Sequence, residues 1–286
     1  YAGQDLPLRD RDVWGLVPIG ENPHSKLWEF YDLRSAWDGT GDPSSLSKLA
    51  IPTQEGDGRV QVTGATGIVW VLLPGGTLPA GTPIDGDDEG EKKRLAVRLD
   101  PFFLGKHEIT QGQWQRWTGE NPAQSKDRND LSLPVETVSW FSCRDTLLRF
   151  GLALPNQLQS EYGIRGGTTT GWWTGDDEKA LLGAENVGGG TRLLPVGSKA
   201  PNPFGLFDMG GNLWEWCYDE ELEDYGTERP GDGRRPDPAG GPLCRCLRTG
   251  GFGLDPDFAR SGYRLGYIAT VRDDNIGARP TRTSRR

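Results

Sequence analysis

The stretch Asn202–Asp219, NPFGLFDMGGNLWEWCYD, decides the fold of this chain. At the end of this stretch the two tryptophans alternate with Leu213 and Glu215, which predicts a short strand. In a strand, Trp214 and Trp216 lie on one side while Leu213 and Glu215 lie on the other. A carboxylate beside two tryptophans requires a partner wherever it is buried.

Two arrangements satisfy Glu215. Asp208 and Asn212 stand in the turn before the strand, and carboxylate and turn oxygens together form a typical site for a hard cation. Alternatively, Asp208 and Asn212 only close the turn, and Glu215 pairs with an arginine. The residues themselves leave both possibilities open.

Upstream of this stretch, the pattern predicts two strands and two helices. The run Thr66–Leu73 is β-branched and apolar and ends at a Pro-Gly-Gly turn, which indicates a buried strand. A second strand is predicted over 94–103. One helix is predicted to begin after the N-cap Thr110, and a longer one to run from a cap at Thr137 or Ser139 to Phe150. After residue 166 the pattern predicts only loops and short strands.

The composition excludes several classes of function. The 286 residues carry a net charge of −9, so we expect no nucleic acid as partner. Mean hydropathy is −0.61 and no long apolar run occurs, so we expect no membrane span. With 42 glycines, 21 prolines and 11 tryptophans, the chain is expected to be rich in loops held by large aromatic side chains.

The sulfur and imidazole side chains limit the possible metal chemistry. Only two histidines occur, so a three-histidine iron or zinc site is excluded. Of the four cysteines, Cys244 and Cys246 are predicted to face the same side of a strand. Cys143 and Cys217 are interpreted as packing residues.

The first part of the chain has little periodicity. We predict that residues 1–60 form an extended arm that packs on a domain spanning 61–286, through apolar residues such as Trp14 and Tyr31. The polar start at Tyr1 shows no secretory signal. Among compartments, the bacterial cytoplasm is favoured over secretion.

Six segments together resemble the formylglycine-generating-enzyme, or sulfatase-modifying-factor, family. The resemblance implies an α+β fold of the irregular, loop-rich C-type-lectin-like type, with two main helices and short antiparallel sheets. The segments lie in the family's order and spacing: Ile68–Thr77, Phe103–Trp117, Leu133–Trp140, Leu154–Gly167, Asn202–Asp219 and Arg248–Arg279.

The same resemblance implies structural calcium. One site would use the side chains of Asp208 and Glu215 with the carbonyls of Gly211 and Leu213. A second would use Asn186 and the carbonyl of Val187, although the loop that follows supplies no acid where the family has one.

Enzymes of this family oxidise a substrate cysteine with two thiols that bind copper(I). At the corresponding positions this chain has Asp255 and Arg260, and neither is the soft ligand that copper(I) requires. We therefore expect no copper and no catalysis of this kind.

The remaining expectation is a surface that binds a protein or peptide. A mixture of aromatic, apolar and charged side chains suits such a contact. The candidate residues are Phe252, Leu254, Asp255, Asp257, Arg260, Tyr263, Leu265, Tyr267, Thr270, Val271 and Asp273.

The fold type also implies particular roles for such a surface. It serves as the display scaffold of hypervariable proteins of diversity-generating retroelements, and the N-terminal arm resembles linkers to signalling or effector domains in bacterial multidomain proteins. Two alternatives remain: a divergent oxygen-dependent oxidoreductase that acts on a thiol substrate, and a structural subunit of a larger assembly.

Overall fold

The apolar run after Thr66 becomes the middle strand of a sheet in the computed structural model, which describes residues 13–37, 48–81, 95–125, 130–221, 230–233 and 244–283. In chain order the elements are β1 (Leu16–Glu21), β2 (Trp28–Asp32), α1 (Leu33–Ala36), β3 (Val69–Leu73), β4 (Gly76–Ala80), β5 (Leu95–Leu99), β6 (Phe102–Gly105), α2 (Gln111–Thr118), α3 (Trp140–Arg149), α4 (Gln157–Arg165), α5 (Glu178–Ala184), β7 (Trp214–Trp216), β8 (Cys244–Arg248), a 3₁₀ helix (Pro256–Ala259), β9 (Leu265–Ile268), β10 (Ile276–Gly277) and β11 (Thr281–Thr283).

The strands form three separate sheets. A five-stranded antiparallel sheet has the order β1-β2-β3-β6-β11, and a four-stranded sheet has the order β10-β7-β8-β9. In the second sheet only the β10–β7 pair is parallel. Strands β4 and β5 make a two-stranded ribbon. The predicted α+β, loop-rich class with short antiparallel sheets is confirmed.

Both predicted strands are present, but the second is divided into two. All five residues of β3 are buried, as expected for a strand covered on both faces. The predicted strand over 94–103 is two strands, β5 and β6, which pair with different partners. The break falls at Asp100 and Pro101, where proline lacks the N–H that a continuing ladder needs.

The two predicted helices begin where their caps require. Thr110 and Gln113 form a reciprocal capping box at α2, and Ser139 caps α3. The expectation that only loops and short strands follow residue 166 is wrong, because α5 begins after the cap Asp177.

A further helix, α4, went unpredicted although its signals are present in the sequence. Asn156 and Gln159 form a second capping box, and Gly166 ends the helix with a left-handed backbone at φ 57°. All nine residues of α4 are buried, so this helix lies within the core.

The N-terminal region contributes strands rather than a packed arm alone. Strands β1 and β2 extend the sheet that contains β3, and Tyr31 is buried in it, but Trp14 is 74% exposed, so its predicted packing role is wrong. The division into residues 1–60 and 61–286 stays a prediction. Parts of that arm (1–12 and 38–47), residues 82–94 and the last three residues lie outside the described residues.

Within the described ranges, every helix is too short or too polar to cross a membrane.

Candidate functional site: the C-terminal face and the carboxylates beneath it

The turn before β7 is closed by side chains. Asp208 and Asn212 both have left-handed backbones, at φ 58° and 65°, a region that Asp and Asn tolerate better than most residues. Asn212 Nδ2 donates to Glu108 Oε2 at 2.7 Å, and the N–H of Leu213 donates to Glu108 Oε1 at 3.1 Å. Asp208 Oδ2 accepts from the N–H of Gly197 at 2.8 Å. These bonds fix the entry of the chain into β7.

Glu215 of β7 pairs with Arg279 in the core. Arg279 Nη2 lies 2.7 Å from Glu215 Oε1, and its Nε lies 3.0 and 3.1 Å from the two carboxylate oxygens. The same guanidinium donates to the carbonyls of Gly105 and Phe207 at 3.0 and 2.8 Å. Burial raises the pKa of Glu215, and the charge of Arg279 opposes that rise. Of the two arrangements open to Glu215, the structure therefore shows the arginine pair.

Several of the predicted calcium ligands already have hydrogen-bond partners within the protein. Both oxygens of Glu215 face Arg279, and the carbonyl of Leu213 accepts from Thr249 Oγ1 at 2.7 Å. Gly211 is buried in the same turn. The described ranges hold no cluster of three or more His, Cys, Asp or Glu side chains able to bind a metal. A calcium site here stays a prediction of the resemblance.

The residues of the second predicted calcium site also have local contacts. Asn186 Nδ2 donates to Asn212 Oδ1 at 3.0 Å and to the carbonyl of Arg192 at 3.1 Å. Val187 packs with Trp172 and other apolar residues of a small cluster. This site likewise stays a prediction.

Glu185 is a buried carboxylate that the sequence pattern did not single out. It is 1% exposed, and its Oε1 accepts from Trp173 Nε1 at 2.7 Å. Its Oε2 accepts no hydrogen bond from the described part of the chain. Burial, followed by the nearby Asp208, raises the pKa of Glu185 to about 8. Burial raises the pKa of Asp208 itself to about 6.

Glu185 gives the protein a predicted pH dependence. Because its folded pKa lies above its ordinary value of 4.5, the folded state binds more protons, and stability falls as pH rises from about 5 to about 8. The slope per group is at most ~1.4 kcal/mol per pH unit. Glu185→Gln retains an acceptor for Trp173 and removes this slope. Urea denaturation at pH 5, 6.5 and 8 measures it, and parallel slopes for the variant and wild type would contradict the assignment.

The predicted ligand residues all reach the surface to some extent. Asp255, Asp257 and Thr270 are exposed, and the other eight are half-buried. We call residues 252–273 the C-terminal face. It follows β8 and includes the 3₁₀ helix and β9.

The aromatic residues of the C-terminal face stand on the two tryptophans of β7. The ring of Tyr263 lies 6.1 Å from that of Trp214, and the ring of Tyr267 lies 6.3 Å from that of Trp216. Phe258, which the sequence analysis missed, completes the group with its ring 5.2 Å from Tyr263. The sequence signal that could have identified Phe258 is its position three residues after Asp255, within the same short helical turn.

Five further residues of the predicted face pack on apolar clusters, bond to another residue of the face or close the turn after β9. Leu254 and Leu265 pack against the same core as the aromatic group, and Asp273 Oδ2 accepts from Tyr267 Oη at 3.2 Å. Val271 closes the turn after β9 by donating from its N–H to Ile268. Phe252 instead packs on a separate cluster of leucines.

The charged residues of the face have local partners. Asp255 Oδ1 accepts from the N–H of Asp257 at 3.0 Å and so caps the 3₁₀ helix. Asp257 pairs with Arg260 at 2.9 Å, and the guanidinium of Arg260 lies 4.9 Å from the ring of Trp172. The two positions at which the resemblance places thiols thus hold a capping carboxylate and a stacked guanidinium.

Comparison with known proteins identifies the scaffold. The sequence profile described as "Sulfatase-modifying factor enzyme 1-like domain" matches residues 61–284. The chain belongs to this family. Relatives of this sulfatase-modifying-factor domain include an enzyme and a protein named as inactive. This chain is 31% identical to a formylglycine-generating enzyme of Thermomonospora curvata, over 59% of this chain and 77% of that protein. It is 33% identical to "Inactive C-alpha-formylglycine-generating enzyme 2" of Mus musculus, over 55% and 71%.

Solved structures agree on the fold of the sulfatase-modifying-factor domain. PvdO from Pseudomonas aeruginosa superposes with a TM-score of 0.67 at 25% identity, over 76% of this chain and 94% of that one. The chain spans between 27% and 64% of three other curated relatives that it matches. For those relatives, the similarity concerns one part of a longer protein.

Proposed function

We propose that this sulfatase-modifying-factor domain is a non-catalytic module that binds a protein or peptide through its C-terminal face. One observation carries the proposal. Asp255 and Arg260 stand where the enzymes of the family are expected to hold their two thiols, and both are used in a local cap and a local ion pair.

The chemistry of these two side chains supports the absence of catalysis. Copper(I) selects soft sulfur ligands, and a carboxylate and a guanidinium provide none. Arg260 is further held between Asp257 and Trp172. The mouse relative named as inactive is consistent with a family in which some members do not catalyse.

The construction of the face supports binding. Half-buried Tyr263 and Tyr267 rest on Trp214 and Trp216, so their rings are held in place before a ligand arrives. Preorganised aromatic side chains lose little entropy on association and often provide most of the binding energy in protein interfaces. The exposed acids at its rim favour a ligand that carries basic or hydrogen-bonding groups.

The proposal also concerns the domains to which this chain is attached or with which it associates. Relatives of which the chain spans as little as 27% support attachment to, or association with, a signalling or effector domain. The proposal also includes a variable display role and a location in the bacterial cytoplasm.

A random-peptide display library selected on the immobilised chain tests the proposal. The enriched peptides are expected to bind wild type, and Thr270→Arg and Tyr267→Ala are expected to weaken them at least ~10-fold, because each changes an accessible part of the face. Leu148→Arg is the matched control, since Leu148 is 58% exposed on α3 and lies outside the face. Failure to enrich any peptide, or equal loss in the control, would contradict the proposal.

A further inference from the structure

Two cysteine thiols meet between strands β7 and β8. The antiparallel register pairs Glu215 with Arg248 and Trp216 with Leu247, and its continuation past the end of β7 would pair Cys217 with Cys246. The N–H of Cys217 donates to the carbonyl of Cys246 at 2.8 Å. Both residues are 0% exposed, and Cys246 Sγ donates to the carbonyl of Leu247 at 3.6 Å. Burial and the neighbouring Cys246 raise the pKa of the Cys217 thiol, whereas the neighbouring Cys217 lowers the pKa of the Cys246 thiol.

This placement suits a disulfide. Residues directly opposite in antiparallel strands have Cα atoms about 4.5–5.5 Å apart, within the range that a disulfide spans. Side chains of opposite residues lie on the same face of a sheet, so bond formation requires rotation of the side chains and no change of register. All four cysteines are free in the structure, and the other two lie elsewhere: Cys244 is exposed and Cys143 is buried in α3.

We propose that Cys217 and Cys246 form a redox-active dithiol whose substrate is an external disulfide. One thiolate attacks the external disulfide, forms a mixed disulfide and releases one external thiol. The second thiolate then attacks the protein sulfur of the mixed disulfide and releases the other external thiol. The protein loses two electrons and two protons, and the external disulfide gains them as two thiols.

A cross-link at this position would affect the two tryptophans that support the aromatic residues of the C-terminal face. The cross-link would tie the residue that directly follows β7, the strand of Trp214 and Trp216, covalently to β8. Because both sulfurs are buried, native oxidation requires a local opening of the strand pair and is therefore slow compared with oxidation during refolding. The inference rests on the strand register and not on the proposed peptide binding, so either can fail alone.

Oxidised glutathione is the probe. The reduced chain is incubated with it in the native state and, separately, during refolding from urea. Products are mapped after trypsin digestion under non-reducing conditions. Trypsin cleaves after Arg245, so Cys244 and Cys246 leave in different fragments. The expected product joins the fragments of Cys217 and Cys246 with the loss of two hydrogen atoms, and its Tm is about 5 °C above that of the reduced chain.

Variants separate this site from adventitious oxidation. Cys244→Ser is the matched control from the same strand and is expected to form the same cross-link. Cys217→Ser and Cys246→Ala are expected to lose it, and the wild-type map alone decides the matter if either fails to fold. Free thiols at Cys217 and Cys246 after both treatments, or a cross-link that uses Cys244 or Cys143, would overturn the proposal.

Discussion

Replacing Arg279 with methionine is expected to lower the free energy of unfolding by about 3–5 kcal/mol. The substitution leaves the buried carboxylate of Glu215 without its cation and removes the donors to the carbonyls of Gly105 and Phe207. Glu108 and Asp208 also lose a nearby positive charge, which opposes the burial-driven rise in the pKa of each carboxylate. Urea denaturation at constant pH measures the loss.

The control for this loss is an ion pair at the surface. Arg144→Met removes the partner of Asp145, where both side chains are substantially exposed, and is expected to cost at most about 1 kcal/mol. Urea denaturation also tests whether Glu215 binds calcium. Glu215→Gln is expected to destabilise the chain equally in calcium buffer and in chelator. A loss confined to calcium buffer would contradict the arginine pair and assign Glu215 to a metal.

Glu161→Ala is expected to cost a similar ~3–5 kcal/mol. Glu161 Oε1 accepts from Arg165 Nη2 at 2.9 Å and from the N–H of Gly81 at 2.7 Å, and its Oε2 accepts from Arg248 Nη2 at 2.9 Å. Its removal leaves two guanidiniums buried without their carboxylate. Arg248 also donates to the carbonyl of Tyr263, so the substitution is expected to loosen the C-terminal face as well.

The comparison for Glu161 is Asp257→Asn. Asp257 pairs with Arg260 at 2.9 Å but is largely exposed, so the expected loss is within about 1 kcal/mol. Equal losses for the two variants, measured by urea denaturation, would mean that the contacts of Glu161 do not carry the stability assigned to them.

The sequence predicted those elements whose signals are local. The buried strand β3 follows from its apolar run, and α2 and α3 follow from the caps Thr110 and Ser139. The capping box at Asn156 is an equally local signal for α4, but the sequence analysis interpreted this stretch only as part of a family motif. In this case the signal was present and was not used.

Tertiary contacts account for the features that sequence reasoning could not supply. The alternation of β7 placed Glu215 opposite the tryptophans, but its partner Arg279 lies 64 positions away. The burial of Glu185 depends on Trp173 and on the turn that contains Asp208. The pairing of Cys217 with Cys246 depends on strand register, which their separate positions in the sequence do not reveal.

The interpretation of the C-terminal face is most directly tested by an assay for the copper-dependent oxidation that we propose it does not catalyse. The purified full chain is loaded with copper(I), mixed with a cysteine-containing peptide, and followed by oxygen uptake and by aldehyde formation in the peptide; a formylglycine-generating enzyme serves as the positive control. We expect uptake no faster than with copper and peptide alone, and no aldehyde. Aldehyde that accumulates over repeated turnovers would contradict the account, because carboxylate and guanidinium groups at 255 and 260 cannot replace a pair of sulfurs.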